Sequence, residues 1–404
     1  MISTVYIAKN VYGGDGLGRL GDGRVVFVPG AWAGENVRAE IVEERRNFVR
    51  ARLVEVVEPS PERIDGGVAA EVPGCVYAGL SYKGECAAKE SQLAEFLERA
   101  RLGSCPVRSP DADESRMFNY RNKVVYHFAR RGDSWAIGYR REPGHEIVEI
   151  ENDPLAVPQI NAKLPEIRKS VLALLTTGPV SVRREVERKG DVTVRWSEKT
   201  GVKWWVGEAP EGTVMRETTC GKTFEVPAGG FYQVNPAVGD ELVKAVAGEY
   251  AKIRKDVPRL IDLYCGVGVF GLCCEPGKLL GIESGRSAVD FAMRNARSLG
   301  VDASFIAGRV ADKLGKVKCG GECAVVIDPP RGGMESGMAR RLADFGAAKI
   351  YCVSCDPATM TRDLKELCRN YRIESVRWFN MFPRTARFET LVTLERIAPG
   401  GGRK

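Results

Sequence analysis

The sequence predicts a chain in three parts: a small N-terminal β-barrel, a β-rich central domain, and a C-terminal α/β domain of the doubly wound type. Three observations carry this. Residues 1–58 alternate apolar and polar positions, as in RVVFVPG and NVRAEIVEERRNFVRARLVEVV, with glycine-bearing turns between the runs. Residues 59–234 hold further strand-like runs and one helical stretch. From Asn235 to the end (235–404), apolar strand-like runs alternate with helical ones, the pattern of a parallel sheet covered on both faces. A length of 404 residues suits two or three domains of ordinary size, so forming a core is not limiting.

Composition narrows the function classes. Hydrophobic residues make up 44% of the chain and charged residues 28%, the balance of a soluble globular protein, and no apolar run has the length that spans a bilayer. The start, MISTVYIAKN, lacks the basic and apolar segments of a secretory signal. Twelve irregularly spaced cysteines then point to a reducing, cytoplasmic setting rather than a disulfide framework. The spacings of Cys319 to Cys323 and of Cys352 to Cys355 permit zinc, yet no CxxC pair repeats at ribbon spacing, and no metal site is assigned. A net charge of +7 suits a polyanionic partner. His127 and His145, the only two histidines, sit outside any recognisable catalytic motif, so a general base is expected to be a carboxylate. Nothing in the sequence demands more than a monomer.

In the first domain, Arg45, Arg46, Arg50 and Arg52 surround Phe48, the composition of a nucleic-acid face. Acidic residues nearly balance them, so a solvated charged strand fits equally well. Pro59 and Pro61 mark a boundary, and residues 86–102 form an amphipathic helix with Leu93, Phe96, Leu97 and Ala100 on the side expected to pack on the catalytic domain. The run YRNKVVYHFARR (residues 120–131) interleaves bases with aromatics. It places Arg121, Lys123 and Arg130 where they can track phosphates, while Tyr126 faces a base or the core. Further strands are expected over Asp191 to Trp205, and Pro110 to Val234 reads as one β-rich unit.

The C-terminal domain carries the chemistry. A strand over Arg259 to Leu263 ends in DLYCGVGVF, where Gly266 and Gly268 let the backbone approach a nucleotide; the full GxGxxG pattern is absent, since Gly271 falls at the wrong offset. The next strand, Lys278 to Ile282, ends in Glu283, placed to accept both hydroxyls of a ribose. The strand Ala324 to Ile327 runs into Asp328-Pro329-Pro330-Arg331, a stiff lip that can hold a planar base or one end of a cofactor, or is simply a rigid exit. Ile350 to Val353 stops at Ser354-Cys355-Asp356-Pro357 before a helix from Thr359 to Leu367. Cys355 thus falls at the ligand-binding edge of the sheet and is the candidate nucleophile, although cysteine more often packs as a small hydrophobe. In FPRTARFETLVTL, Glu389 interrupts an apolar strand, where burial would raise its pKa toward the range useful for proton transfer.

FYQVN (231–235), DLYCGVGVF (262–270), IDPPRGGM (327–334), SCDPATMTRDL (354–364) and MFPRTARFET (381–390), in this order, resemble the RNA uracil-5 (5-methyluridine) methyltransferase family, in particular its ribosomal-RNA branch. The likeness covers nearly the whole chain. It implies a Rossmann-like methyltransferase domain preceded by an OB-like TRAM barrel that binds RNA. It further implies S-adenosylmethionine as cofactor, contacted by Gln233, Tyr264, Glu283 and Asp328, with Gly266 and Gly268 in the turn. Cys355 would be the nucleophile that adds to C6 of a uridine and Glu389 the base that removes the C5 proton. Arg46, Phe48, Arg50, Arg121, Lys123 and Arg331 are the residues expected to meet RNA, most plainly 23S ribosomal RNA. For the thiol to react, either Arg331 or Arg362 is expected to lower its pKa, or its proton must leave as attack proceeds.

Two departures qualify the resemblance. Many members hold an iron–sulfur cluster on four cysteines; here only Cys75 aligns, with Gly66, Val72 and Asp153 at the other positions, and no cluster is expected. Val269 and Arg309 also differ from many relatives near the cofactor, which bears on affinity. Three rival readings stand beside the first: a transfer-RNA uridine methyltransferase, an RNA-binding paralogue without turnover, and a methyltransferase of exocyclic amines, which would need no cysteine.

Overall fold

The computed structural model describes residues 1–102, 107–108, 113–141, 144, 146–319 and 322–398, so that Pro110 and His145 lie outside the described residues. Five strands close the N-terminal barrel: β1 (Ile2–Asn10), β2 (Gly16–Arg19), β3 (Val25–Val28), β4 (Asn36–Glu44) and β5 (Phe48–Glu58), in the order β1-β2-β3-β5-β4. Alternate residues, among them Val5, Ile7, Val26, Val28, Val37 and Val49, fill the barrel, as the two-residue period of the sequence requires. Gly18 is needed there, because a Cβ would lie 2.5 Å from the Tyr6 carbonyl oxygen.

A long helix, α1 (Tyr82–Arg99), follows, capped by Ser81, whose side chain accepts from Gly84 N. It begins four residues before its expected start. Its Tyr82, Cys86, Leu93 and Leu97 share one core with the C-terminal sheet, so the helix packs against the catalytic domain. A buried charge cluster fastens it there. Lys89 Nζ donates to Glu85 Oε1 and Asn380 Oδ1, both at 2.7 Å, and Arg384 pairs with Glu85 at 2.7 Å while Arg384 Nη1 donates to Leu80 O at 2.6 Å. Charges this deep are tolerated only when paired and hydrogen-bonded. The short strand β6 (Val107–Arg108) completes this stretch.

The central domain contains β7 (Lys123–Arg131), β8 (Ser134–Arg140), β9 (Ile147–Glu149), α2 (Pro158–Thr176), α3 (Val180–Lys189), β10 (Asp191–Ser197) and β11 (Gly201–Val206). Its antiparallel sheet runs β11-β10-β7-β8-β9, and α2 and α3 cover it. The β-rich expectation holds for this sheet; the two helices that cover it were not in the sequence reading. The missed signal is plain in α2, where Ile160, Leu164, Ile167, Val171 and Leu175 recur at helical spacing and are all buried.

The remaining elements are β12 (Val214–Thr219), β13 (Lys222–Pro227), α4 (Pro236–Ala251), β14 (Arg259–Leu263), α5 (Val269–Cys273), β15 (Lys278–Glu283), α6 (Arg286–Leu299), β16 (Ala303–Ala307), α7 (Val310–Lys313), β17 (Cys323–Ile327), α8 (Met338–Phe345), β18 (Lys349–Ser354), α9 (Pro357–Leu367), β19 (Tyr371–Phe379) and β20 (Glu389–Arg396). They form an eight-stranded sheet in the order β16-β15-β14-β17-β18-β20-β19-β6. β16 to β18 are parallel, and β20 runs antiparallel between β18 and β19. The hairpin β12–β13 belongs to this body by packing: Phe224 and Val226 lie in one core with Leu242, Leu260 and Phe291. The catalytic unit therefore gathers residues from before the Asn235 boundary.

One cysteine expectation also changes. Cys319 and Cys323 are joined as a disulfide, their Cα atoms 5.5 Å apart at the entry to β17, whereas the sequence reading had no disulfide there. Among the described residues no helix is long and apolar enough to cross a membrane.

Candidate active site

The parallel strands deliver their carboxyl ends to one edge, and the predicted site residues collect there. β14 ends at Leu263, after which Tyr264 (φ +61°), Gly266 (φ +54°) and Gly268 (φ +88°) turn the chain into α5. At Gly268 a Cβ would also lie 3.0 Å from Leu272 Cδ1, so glycine answers both the dihedral and the space. The turn is held from below. Asp262 Oδ2 accepts from Gly271 N at 2.9 Å, and Glu283 Oε2, at the end of β15, accepts from Gly266 N at 3.2 Å.

A cavity opens above this turn. Gln233, Tyr264, Gly266 and Asp328 line it together, with Val269 and Phe231 beside them. Gln233 reaches it because Asn235 anchors its segment, accepting from Val238 N as the cap of α4 and donating to Met381 O at 3.2 Å. Phe231 is 73% exposed at the rim. Tyr264 donates its hydroxyl to Glu335, a partner that the sequence reading did not include. Arg309 is exposed at the start of α7 and is not among the lining residues, whereas Val269 is.

Cys355 and Glu389 meet through strand register. In the antiparallel pair β18–β20, Ser354 stands opposite Thr390, so one further step outward sets Cys355 beside Glu389. Glu389 is only 4% exposed and its Oε2 has no hydrogen-bond partner. Burial, then the nearby Asp328, hold its carboxyl well above the usual range, against the pull of Arg331. The Cys355 thiol is pushed up to about 12, first by burial and then by Glu389 and Asp328, with Arg331 opposing. Arg331 is therefore the cation that acts on the thiol. Arg362 is engaged elsewhere, donating to Asp363 Oδ1 (2.8 Å), Gly332 O (3.1 Å) and Met334 O (3.2 Å). Asp328 is itself raised by burial, and Asp262 is raised to about 7 by burial, with Asp328 and Glu283 adding to the effect.

The expected RNA contacts divide. Arg46 is exposed on the barrel; Arg50 lies 3.6 Å from Asp15 and, with its guanidinium carbon 6.0 Å from the Phe27 ring centroid, borders an aromatic pair of Phe27 and Phe48. Arg121 instead turns inward, against the Tyr120 ring (5.9 Å) and Tyr139 Oη (3.4 Å), and Lys123 Nζ approaches Gly230 O at 3.5 Å. Lys123 is half-buried and lines a cavity with Trp205, Pro227 and Gly230. Cys75 is buried, and Asp153 accepts from Tyr139 Oη (2.6 Å), Tyr126 Oη (3.0 Å) and Leu155 N (2.9 Å).

Known proteins resemble the chain in both parts and whole. A family model described as TRAM domain matches residues 4–54, and one described as tRNA (Uracil-5-)-methyltransferase matches residues 313–397, the stretch that holds Cys355 and Glu389. An RNA methyltransferase of Streptomyces avermitilis is 30% identical over 98% of each chain, and one of Streptomyces coelicolor is 31% identical over 98% of this chain and 93% of its own. The tRNA (uracil(54)-C(5))-methyltransferase of Schizosaccharomyces pombe is 28% identical over 95% of this chain and 76% of its own. In fold, the tRNA (uracil-54, C5)-methyltransferase of Pyrococcus abyssi, solved with S-adenosyl-L-homocysteine, matches with a TM-score of 0.72 at 22% identity, covering 96% of this chain and 99% of that one. Barrel, doubly wound sheet and near-full-length identity agree, and the chain belongs to the S-adenosylmethionine-dependent RNA uracil-5 methyltransferase family.

Proposed function

We propose that the chain methylates C5 of a uridine in ribosomal RNA through a covalent bond between Cys355 and C6 of the base. The observation that carries the reading is the juxtaposition of a thiol and an unpartnered buried carboxylate beside Asp328, which lines the neighbouring cavity. RNA binding alone requires neither group, and methylation of an exocyclic amine requires no thiol.

The cavity suits a nucleoside cofactor. Its floor is a tight glycine turn, Glu283 stands at the next strand end, and Asp328 is a half-buried acceptor at its wall. Gln233, Tyr264, Gly266, Glu283 and Asp328 would hold S-adenosylmethionine, which supplies an electrophilic methyl group when bound. C5 of uracil is a weak nucleophile. Cys355 sulfur adds to C6, its thiol proton passing to water as the C–S bond forms, and the ring electrons pass to an enolate that makes C5 nucleophilic. Once C5 has taken the methyl group, leaving S-adenosylhomocysteine, Glu389 takes the C5 proton, the C5–C6 double bond re-forms and Cys355 departs as its thiolate. Arg331 favours the anionic form of both side chains. The target base must also leave its stack, which costs a few kcal/mol and least in a loop. An iron–sulfur cluster has no place in the proposal, because Cys75 stands alone of the four aligned positions and the Asp153 carboxylate is held by two tyrosines. Iron and sulfide analysis of anaerobically purified protein checks this.

Transfer RNA is the second reading, favoured by the S. pombe and P. abyssi likenesses; the latter spans the barrel, so the barrel does not separate the two substrates. The test offers labelled S-adenosylmethionine with unmodified ribosomal RNA and, separately, unmodified transfer RNA. Labelled 5-methyluridine in ribosomal RNA with wild type and none with Cys355→Ala is expected. Label confined to transfer RNA transfers the proposal to the second substrate, and label that survives Cys355→Ala removes the covalent mechanism.

A further inference from the structure

The barrel reaches into the catalytic loops. Tyr12 lies in the turn between β1 and β2, its ring edge-on to Phe96 of α1 (5.5 Å) and to Phe388 (6.1 Å). Arg387 Nη1 donates to Tyr12 Oη at 3.0 Å and to Asp356 Oδ2 at 2.9 Å, and Tyr12 Oη stands 3.4 Å from that same carboxylate oxygen. Burial pushes the phenol up to about 12, so at neutral pH the hydroxyl keeps its proton, accepting from Arg387 and donating to Asp356. The other Asp356 oxygen accepts from Ala358 N (3.0 Å) and Thr359 N (3.1 Å) and so caps α9.

The position of this cluster in the chain gives it meaning. Asp356 directly follows Cys355, and Arg387 precedes Glu389 by two residues, with the buried Phe388 between them. One three-membered cluster therefore ties down the backbone beside both reactive side chains. An Arg387–Asp356 pair open to solvent would do this weakly, since exposed ion pairs contribute little and hold many geometries. The Tyr12 ring packs over the guanidinium, its centroid 5.8 Å from the central carbon, and its hydroxyl fixes where the two charges meet. The third contact arrives from the barrel, 344 residues away in sequence from Asp356.

We propose that Tyr12 is a positioning residue for the Cys355–Glu389 pair, so that the barrel completes the active site as well as meeting RNA. The inference rests on the roles given to Cys355 and Glu389 above. Tyr12→Phe keeps the ring and removes the hydroxyl. Methyl transfer by the full chain should then fall about tenfold in kcat, the scale of one lost hydrogen bond, while KM for RNA and RNA affinity by filter binding stay unchanged. Hydrogen exchange at Ala358 and Thr359 and across 385–389 should quicken, and Arg387→Lys should produce the same loss, without adding to it in the double variant. Unchanged kcat overturns the proposal. So does a rise in KM with kcat intact, which would make Tyr12 an RNA contact, or additive loss in the double variant, which would make the two residues independent. If wild type methylates no RNA, the functional reading falls by itself, and the exchange measurement alone decides whether Tyr12 holds the two loops.

Discussion

The thiol of Cys355 should be an unusually poor nucleophile in the ligand-free protein, and the size of the effect follows from its surroundings. Its pKa stands at about 12 against an ordinary value near 9, raised by burial and by the carboxylates of Glu389 and Asp328. At fixed pH the thiolate fraction falls about tenfold for every rise of one in the pKa, so near pH 8 the reactive fraction should be about a thousandfold below that of an exposed cysteine. Iodoacetamide labelling, followed by mass spectrometry of the Cys355 peptide between pH 7 and 10, reads this directly, with the urea-unfolded chain as reference. The folded protein should show a rate that climbs about tenfold from each pH to the next without a plateau, while the reference levels off near pH 9. Arg331→Met removes the opposing cation and should slow labelling about three- to tenfold; Glu389→Gln removes a repelling charge and should speed it by a similar factor above the carboxylate's own raised pKa. A plateau near pH 9 in the folded protein would refute the reasoning, because steric protection alone lowers the rate without moving the midpoint. Indifference to both substitutions would refute the electrostatic part alone.

Three further outcomes are expected. Glu389→Gln should permit attack and methyl transfer but block loss of the C5 proton, so turnover drops by about a hundredfold or more and a Cys355-linked RNA adduct appears on denaturing gels. Asp262 is a carboxylate whose folded pKa, about 7, exceeds its unfolded value, so its contribution to stability is fully present below about pH 4 and is lost as pH rises through 7. Asp262→Asn should accordingly stabilise the ligand-free chain in urea unfolding at pH 8.5, by up to about 4 kcal/mol, by about half as much at pH 5.5, and hardly at all at pH 3.5. Arg195 is buried with Glu217 at 2.9 Å and also donates to Ala228 O (3.0 Å) and Gly230 O (3.1 Å). Arg195→Met should cost about 3–5 kcal/mol in the same assay by leaving Glu217 unpaired; a loss under about 1 kcal/mol would mean that Glu217 simply takes up a proton.

Much of this was legible in the chain because it depends on short-range pattern. The barrel's two-residue alternation, the strand ends at Leu263, Glu283, Ile327 and Ser354, and the anomalous Glu389 in an apolar run are all local signals, and the folded chain places these residues at one sheet edge. Asp262 carried the same signal as Glu389, a carboxylate within the buried strand RLIDL, and could have been found by it. The α2 periodicity was visible too but went unread; Pro158 stands at the first helical turn, where proline is tolerated, and Pro165 lies within the helix. Other features had no local signal. Whether Arg121 meets solvent or Tyr139 depends on which face of β7 the central sheet buries, and Tyr12 lies in an ordinary turn whose partner is at the far end of the chain.

The direction of β20 explains why Cys355 and Glu389, separated in sequence, become neighbours. In an all-parallel sheet, functional residues at the binding edge must all come from strand C-termini, each followed by its own loop. β20 runs the other way between β18 and β19, so its first residue lies at that edge. Glu389 is thus already inside the ladder, its backbone paired with Phe379, while Cys355 sits just beyond its strand in the turn to α9. The difference suits their tasks. In the proposed mechanism the base takes a proton from one position, and Glu389 is buried on a strand; the nucleophile approaches C6, bonds to it and withdraws, and Cys355 rides on a turn. That turn needs an external brace to keep the two in register, and the contacts among Asp356, Arg387 and Tyr12 provide it. Reversing one strand therefore does more than complete a sheet: it brings a fixed carboxylate to a movable thiol and leaves the turn between them open to a third domain.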